Sequence, residues 1–263
     1  MASSFWNGEF YWNNIHSSTY KVCIVDFDDN SILKQSILSH NIDLNEEITI
    51  NGKKWFTELG RSSDNLIIQL CKTDGSKWTN ADFINLNRWF FTEKFCQFRT
   101  LDFEDNLNIV YYLKAVKFTK YVNKNFYGYV EIEFQSYDGL AYVIPTNNYN
   151  YTVSNGETKN MYSYSNLYIP YKPKLEVTNY GGSSTTITIS NSSTNTSLEI
   201  QGLSTNETVI IDCQMGTVLN LSGINRFDVL QNYNFIKMQN GDNNIRLSGN
   251  AKVQVICEFP III

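Results

Sequence analysis
No run of this sequence approaches 18 consecutive apolar residues, and the terminal Ile261-Ile262-Ile263 is far too short to cross a bilayer, so no membrane-spanning helix is expected. Positive charge is scarce as well. Lys and Arg number 21 against 26 Asp and Glu, a formal net charge of -5, which leaves no basic footprint for neutralising nucleic-acid phosphates. Histidine is limited to His16 and His40, neither with a second His, Cys or carboxylate at ligand spacing, so no zinc site is expected. A G-x-S-x-G elbow, a phosphate loop and a dinucleotide fingerprint are all lacking, and with them the commonest signatures of hydrolytic, phosphoryl-transfer and redox chemistry. The opening Met1-Ala2-Ser3-Ser4-Phe5-Trp6 has neither the basic region nor the apolar run of a secretory leader. Five cysteines, Cys23, Cys71, Cys96, Cys213 and Cys257, are odd in number and widely spaced. They read as small buried hydrophobes of a protein made in a reducing cytosol rather than as a disulfide framework.

What the chain does hold is aromatic. Seventeen Tyr and 16 Phe accompany only four Pro, a composition that favours strands and can bury enough apolar surface to fold. At 263 residues two domains are expected, with about 70 to 75% of the unfolded surface buried. The boundary is placed at Pro145, giving domains 1–145 and 146–263.

The first domain centres on Asn80 to Ile144. Thr79 and Asp82 form a capping signature for a helix of about four turns, with Phe83, Leu86 and Phe90 at i, i+3 and i+7 and Ile84 and Phe91 flanking one broad apolar face. The period then drops from 3.6 to 2. Cys96, Phe98 and Leu101 alternate, an acidic turn covers Asp102 to Asn108, a strand runs through Ile109, Tyr111, Leu113, Val116 and Phe118, and a third follows an Asn-rich turn with Val130, Ile132 and Phe134 on one face. Ahead of the helix, strands are read at Tyr20 to Val25, Ile48 to Phe56 and Asn65 to Cys71, with an acidic loop at Asp26 to Asn30 and a second loop at Gly60 to Asp64. The architecture is a mainly β protein, an antiparallel β domain with one packed helix.

Beyond Pro145 the helix period does not return. Thr146 to Asn160 is rich in Asn, Tyr and Thr without a clear burial pattern. Eight short strands then recur: Leu175 to Thr178, Thr186 to Ser190, Leu198 to Gln201, Thr208 to Asp212, Thr217 to Leu221, Asn234 to Met238, Asn243 to Leu247 and Val253 to Phe259. Such spacing predicts a β-sandwich.

These pieces resemble the distal tail proteins (Dit) of long-tailed, non-contractile bacteriophages. In the first domain the resemblance rests on Trp12-Asn13-Asn14-Ile15-His16-Ser17-Ser18-Thr19-Tyr20, on a helix ending Asn87-Arg88-Trp89-Phe90, on the turn Asp102-Phe103-Glu104-Asp105 and on Tyr111-Tyr112. In the second it rests on Val209-Ile210-Ile211-Asp212-Cys213, Thr217-Val218-Leu219-Asn220, Phe235-Ile236-Lys237-Met238 and Gly241-Asp242-Asn243-Asn244-Ile245.

The resemblance implies a structural virion protein without catalytic site, metal or cofactor: a hub at the tail tip, made in the bacterial host cytoplasm. It implies a homo-hexameric ring, single or back to back, that continues the tail tube, lets DNA pass through its lumen without specific binding, and engages no membrane. A galectin-like second domain would hold tail-tip and receptor-binding or baseplate proteins. The residues assigned on this basis are Phe83, Leu86, Trp89, Phe90, Tyr111 and Tyr112 for the ring-domain core, and Asp26, Asp28, Asp29, Arg61 and Asp64 for loops between protomers.

Other readings carry less weight. Asp26-Phe27-Asp28-Asp29-Asn30 imitates the start of a calcium loop, but Ser31 replaces the required Gly and Ile37 the required Glu. Asp102, Glu104 and Asp105 could be glycosidase carboxylates, although a hairpin turn offers nothing to raise a pKa. Trp6, Trp12, Trp55 and Trp78 could form a sugar-stacking platform, which makes a carbohydrate-binding adhesion module the alternative function; core or interface placement is the plainer reading.

Overall fold
A computed structural model describes residues 8–25, 40–48, 54–63, 65–100, 108–145, 149–153 and 156–262, with the backbone alone at 40–48, 54–63 and 149–153. The chain divides into two compact units between Ala141 and Tyr142.

In the first unit, aromatic and β-branched runs form β1 (Phe10–Trp12), β2 (Ile15–His16), β3 (Val22–Val25), β4 (His40–Ile48), β5 (Lys54–Ser63) and β6 (Leu66–Lys72). Helix α1 (Asn80–Phe90) follows, then β7 (Cys96–Thr100), β8 (Asn108–Val122) and β9 (Gly128–Ile144). The main sheet runs β2-β1-β7-β8-β9-β6-β3, and β4 and β5 form a separate antiparallel pair.

Thr79 starts α1 as its composition demands: Thr79 Oγ1 accepts from the Asp82 amide at 3.1 Å and Asp82 Oδ2 accepts from the Thr79 amide at 2.8 Å. The helix closes after 11 residues, three turns rather than four, because Phe91 is already extended. Its buried side chains are Phe83, Leu86, Trp89 and Phe90. At about 100° per residue Trp89 widens this stripe on one side, so Ile84 and Phe91, expected at the buried face, point to solvent on the other.

The helix packs where β1 needs cover. Trp12 Nε1 donates to the Trp89 carbonyl at 2.9 Å, and Trp89 Nε1 donates back to the Trp12 carbonyl at 3.4 Å. Phe10 and Trp12, both fully buried, meet Trp89, Phe90, Phe98 and Phe134 at centroid distances of 5.0 to 5.7 Å. Such rings contribute by area and by tilted or stacked geometry, and the two indole N–H groups stay paired inside the core.

Two expectations for this unit change. Gly60 to Ser63 is not a loop; it is the end of β5, paired with His40 to Asp43. The register shifts there, so Leu59 and Gly60 stand where one residue would, a bulge that absorbs glycine's turn preference. Of the strand expected at Ile48 to Phe56, Ile48 is the end of β4 and Lys54 to Phe56 open β5, while residues 49–53 lie outside the described residues.

The second unit contains β10 (Tyr149–Val153), β11 (Thr158–Ser163), β12 (Lys174–Asn179), β13 (Ile187–Asn191), β14 (Thr196–Ile200), β15 (Thr208–Asp212), β16 (Thr217–Asn220), β17 (Gly241–Ser248), β18 (Ala251–Ile256) and β19 (Phe259–Ile261). One sheet runs β10-β18-β12-β15-β16 and the other β11-β17-β13-β14. Each turns one face inward: Leu175, Val177, Val209, Ile211, Val253 and Val255 from the first, Ile187, Ile189, Leu198, Ile200, Ile245 and Leu247 from the second. Each of these side chains contributes about 1.5 to 3 kcal/mol on burial, and together they make the core of a β-sandwich.

Here too the structure departs from the pattern. Thr146 to Asn160 contributes β10 and the start of β11, whose order comes from pairing with β18 and β17 rather than from their own composition. Asn234 to Met238 forms no strand; only Met238 bridges to Tyr171. The Lys237 carbonyl is taken by Asn191 Nδ2 at 2.7 Å and Thr194 Oγ1 at 2.9 Å, so side-chain donors occupy what a neighbouring strand would use.

Candidate interaction surface
Burial decides which residues are left to meet a partner. Phe83, Leu86, Trp89 and Phe90 lie in the first unit's core, with Tyr111 packed half-buried against it. Burial pushes the Tyr111 phenol above its usual pKa. Tyr112, next along β8, turns the opposite way and accepts a hydrogen bond from Gln97 Nε2 at 2.9 Å. Trp12 and Trp78 are buried, and Trp78 Nε1 donates to the Gly128 carbonyl at 2.9 Å, so neither indole offers a face to a sugar.

Trp6 and the side chain of Trp55 lie outside the described residues, as do Asp26, Asp28, Asp29, Asp64, the carboxylates Asp102, Glu104 and Asp105, and the Arg61 side chain. The backbone of Arg61 pairs with Ile42 inside β5. Among the described residues no cluster of His, Cys, Asp and Glu could hold a metal ion, and no helix is long and apolar enough to cross a membrane.

Cysteine placement corrects the sequence reading in part. Cys96, Cys213 and Cys257 are buried, whereas Cys23 and Cys71 are only half-buried. Burial pushes the Cys213 thiol up to about 12 and Cys257 higher still, which makes both poor nucleophiles.

An open cleft of about 310 Å³ sits beside the start of α1, lined by Tyr20, Lys21, Lys72, Asp74, Trp78 and Asp82. Its charges answer one another: Lys72 Nζ reaches Asp82 Oδ2 at 3.0 Å and the Lys77 carbonyl at 3.1 Å. Partial burial works against the Asp82 carboxylate, but hydrogen bonds from Lys72 and Thr79 outweigh it and hold the pKa below the usual range.

Exposed apolar side chains remain on both units. On the first they include Ile84 on α1, Phe91 just past its end, and Phe126 and Tyr127 in the turn between β8 and β9. On the second, the chain leaving β16 folds back so that Asn220 accepts from the Ser222 and Ile224 amides, at 3.0 and 2.9 Å. That turn presents Leu221 and Ile224, 71% and 60% exposed, and the chain that follows adds an exposed Phe227–Tyr233 stack at 5.1 Å. The sequence reading missed this cluster, though Leu221 and Ile224 flanking Ser222-Gly223 were a visible signal of apolar residues on a turn. Exposed apolar groups of this kind are what a contact with a partner would bury.

Family models decide the setting. Residues 6–137 match the model described as phage tail protein N-terminal domain, and residues 141–257 match the phage tail C-terminal domain. The chain belongs to this phage tail protein family. The fold of this phage tail protein is similar to the crystal structure of the Dit protein of phage SPP1, described as a paradigm of the hub adsorption apparatus in phages infecting Gram-positive bacteria. Identity is 13%, covering 94% of this chain and 98% of that one, with a TM-score of 0.62. Two structures of the phage p2 baseplate in its activated conformation, with Ca and with Sr, also match at 13% identity over 94% of this chain and 97% of theirs, with TM-scores of 0.49 and 0.48. No curated protein sequence gives a significant match. The phage tail protein thus has a Dit-like fold, mainly β with antiparallel sheets and, among the described residues, one α-helix, in agreement with the resemblance drawn from its sequence.

Proposed function
We propose that this phage tail protein is the distal tail hub, a structural component that joins the tail tube to the tail tip. The observation that carries the reading is the pair of family matches, one on each unit, on a chain whose Dit-like fold covers 94% of its length. In this reading residues 1–145 form a homo-hexameric ring, single or back to back, with a lumen through which DNA passes. Residues 146–263, a galectin-like sandwich, anchor tail-tip, receptor-binding or baseplate proteins.

A ring of identical subunits needs two different patches on each protomer that meet head to tail and close by rotation. The exposed apolar residues on α1 and at the turn between β8 and β9 support that requirement, as does the apolar turn after β16 for an outward partner. The role calls for no catalysis and no cofactor.

Gold-labelled antibodies raised against this chain, applied to intact particles, test the placement. Label confined to the far end of the tail supports the hub. Label along the tube, or at the capsid end, overturns it.

A further inference from the structure
Cys23 on β3 and Cys71 on β6 are direct cross-strand partners. Residues opposite each other in an antiparallel pair project to the same side of the sheet, and here it is the outer side, because Val22, Ile24, Leu70 and Ile68 take the buried positions. Thr73 donates its amide to the Lys21 carbonyl at 2.9 Å, and Ile24 turns its amide away from β6 to the Gly8 carbonyl at 2.8 Å. Alternation along the ladder therefore makes Cys23 and Cys71 a hydrogen-bonded pair, whose Cα atoms stand about 5.5 Å apart. That spacing lies inside the range of about 4.4 to 6.8 Å over which a disulfide can close.

We propose that Cys23 and Cys71 form a covalent modification site, a cross-strand dithiol that closes to a disulfide by exchange with a small-molecule disulfide. The Cys71 or Cys23 thiolate attacks one sulfur of the reagent and one thiol of the reagent leaves. The second cysteine then attacks the mixed disulfide, the new S–S bond forms, and the other reagent thiol leaves. Two protein thiols are oxidised, one disulfide is reduced to two thiols, and the two protons pass to the leaving thiolates.

The pair is distinct from the other cysteines. Cys96, Cys213 and Cys257 are buried. Cys213 and Cys257 follow β15 and β18, which flank β12 on opposite sides, so they are not cross-strand partners. Because β3 ends the path of its sheet, the bond would staple an edge strand to its only ladder neighbour in that path. The hydrogen-bonded register holds the side chains wider than a relaxed disulfide prefers, so the bond is readily reduced again. Burial raises both thiols' pKa values, helped by the Glu9 charge at Cys23 and by Cys23 itself at Cys71, so closure is slow at neutral pH and quickens with alkalinity.

The test is to incubate the native full-length chain with oxidised glutathione at mildly alkaline pH and follow intact mass. Loss of two hydrogens without retained glutathione, a nonreduced tryptic peptide joining residues 22–34 to 62–72, and reversal by glutathione are expected. Cys23→Ser should instead trap one glutathione on Cys71, and Cys71→Ser one on Cys23. Stable glutathione adducts on the unmutated chain, no reaction at either cysteine, or a linked peptide involving any other cysteine overturns the proposal.

Discussion

Single side chains set the limits of the second unit. Asn243, fully buried, accepts from the Gln239 amide at 3.0 Å and from Asn191 Nδ2 at 3.0 Å, and donates to the Gln239 and Gly241 carbonyls at 2.9 Å each. Removing it leaves several buried groups unpaired, so Asn243→Ala should cost about 2 to 3 kcal/mol, read as a shift in the denaturant midpoint. The buried thiols add a pH dependence. The native Cys213 pKa is pushed up to about 12 from an unfolded value near 9, so both states keep the proton below pH 9 and the stabilisation is fully present there. As pH rises from 9 through 12 the unfolded chain releases the proton first, the native state binds more protons, and stability falls. Urea midpoints measured across that range should decline, and Cys213→Ala should flatten the decline.

At the scale of elements, the helix and the turns it leans on are legible in very different degrees. Thr79 and Asp82 announced α1 because a capping box is local, and the structure contains both of its hydrogen bonds. Thr79→Ala should destabilise the first unit by about 1 kcal/mol, a change visible in chemical unfolding. Asp82 shares that box, and its depressed carboxyl pKa means the contribution is present above the ordinary Asp pKa and lost as pH falls through the native value. Gly128 is the other local constraint. Its φ is +146°, and an added Cβ would lie 2.0 Å from the Tyr121 carbonyl oxygen, so Gly128→Ala should lower the melting temperature more than Thr79→Ala does. Strand existence was readable wherever alternation was strict, as at Val130, Ile132 and Phe134. Where order is imposed from outside, the pattern failed: β10 and β11 exist because β18 and β17 offer them ladders, and Asn234 to Met238 is withheld from a ladder by Asn191 and Thr194. Ile84 and Phe91 were misplaced for a related reason, since Trp89, and not the flanking aliphatics, completes the buried stripe.

For the whole molecule, the family and fold were within reach of the sequence because turn and strand signals recur in order along both halves. The exposed apolar residues after β16 were legible only in part. Leu221 and Ile224 flank a turn signal at Ser222-Gly223, but Phe227 and Tyr233 look like core residues in composition and declare themselves only by their exposure. A hub whose ring closes through apolar patches on the first unit should lose assembly, while keeping its fold, when those patches are made polar. Ile84→Lys combined with Phe126→Asp should shift the assembled species toward the monomer in sedimentation, with the thermal unfolding of the chain changed by little, because both side chains are largely outside the core. The most direct measurement of the central claim is the native mass of the purified chain by light scattering over a concentration series, with negative-stain images of the largest species. The account predicts six copies of a 30.4 kDa chain, or twelve as paired rings, closed around a central hole. A monomer at every concentration, unchanged by adding the tail-tube or tail-tip protein, would contradict it.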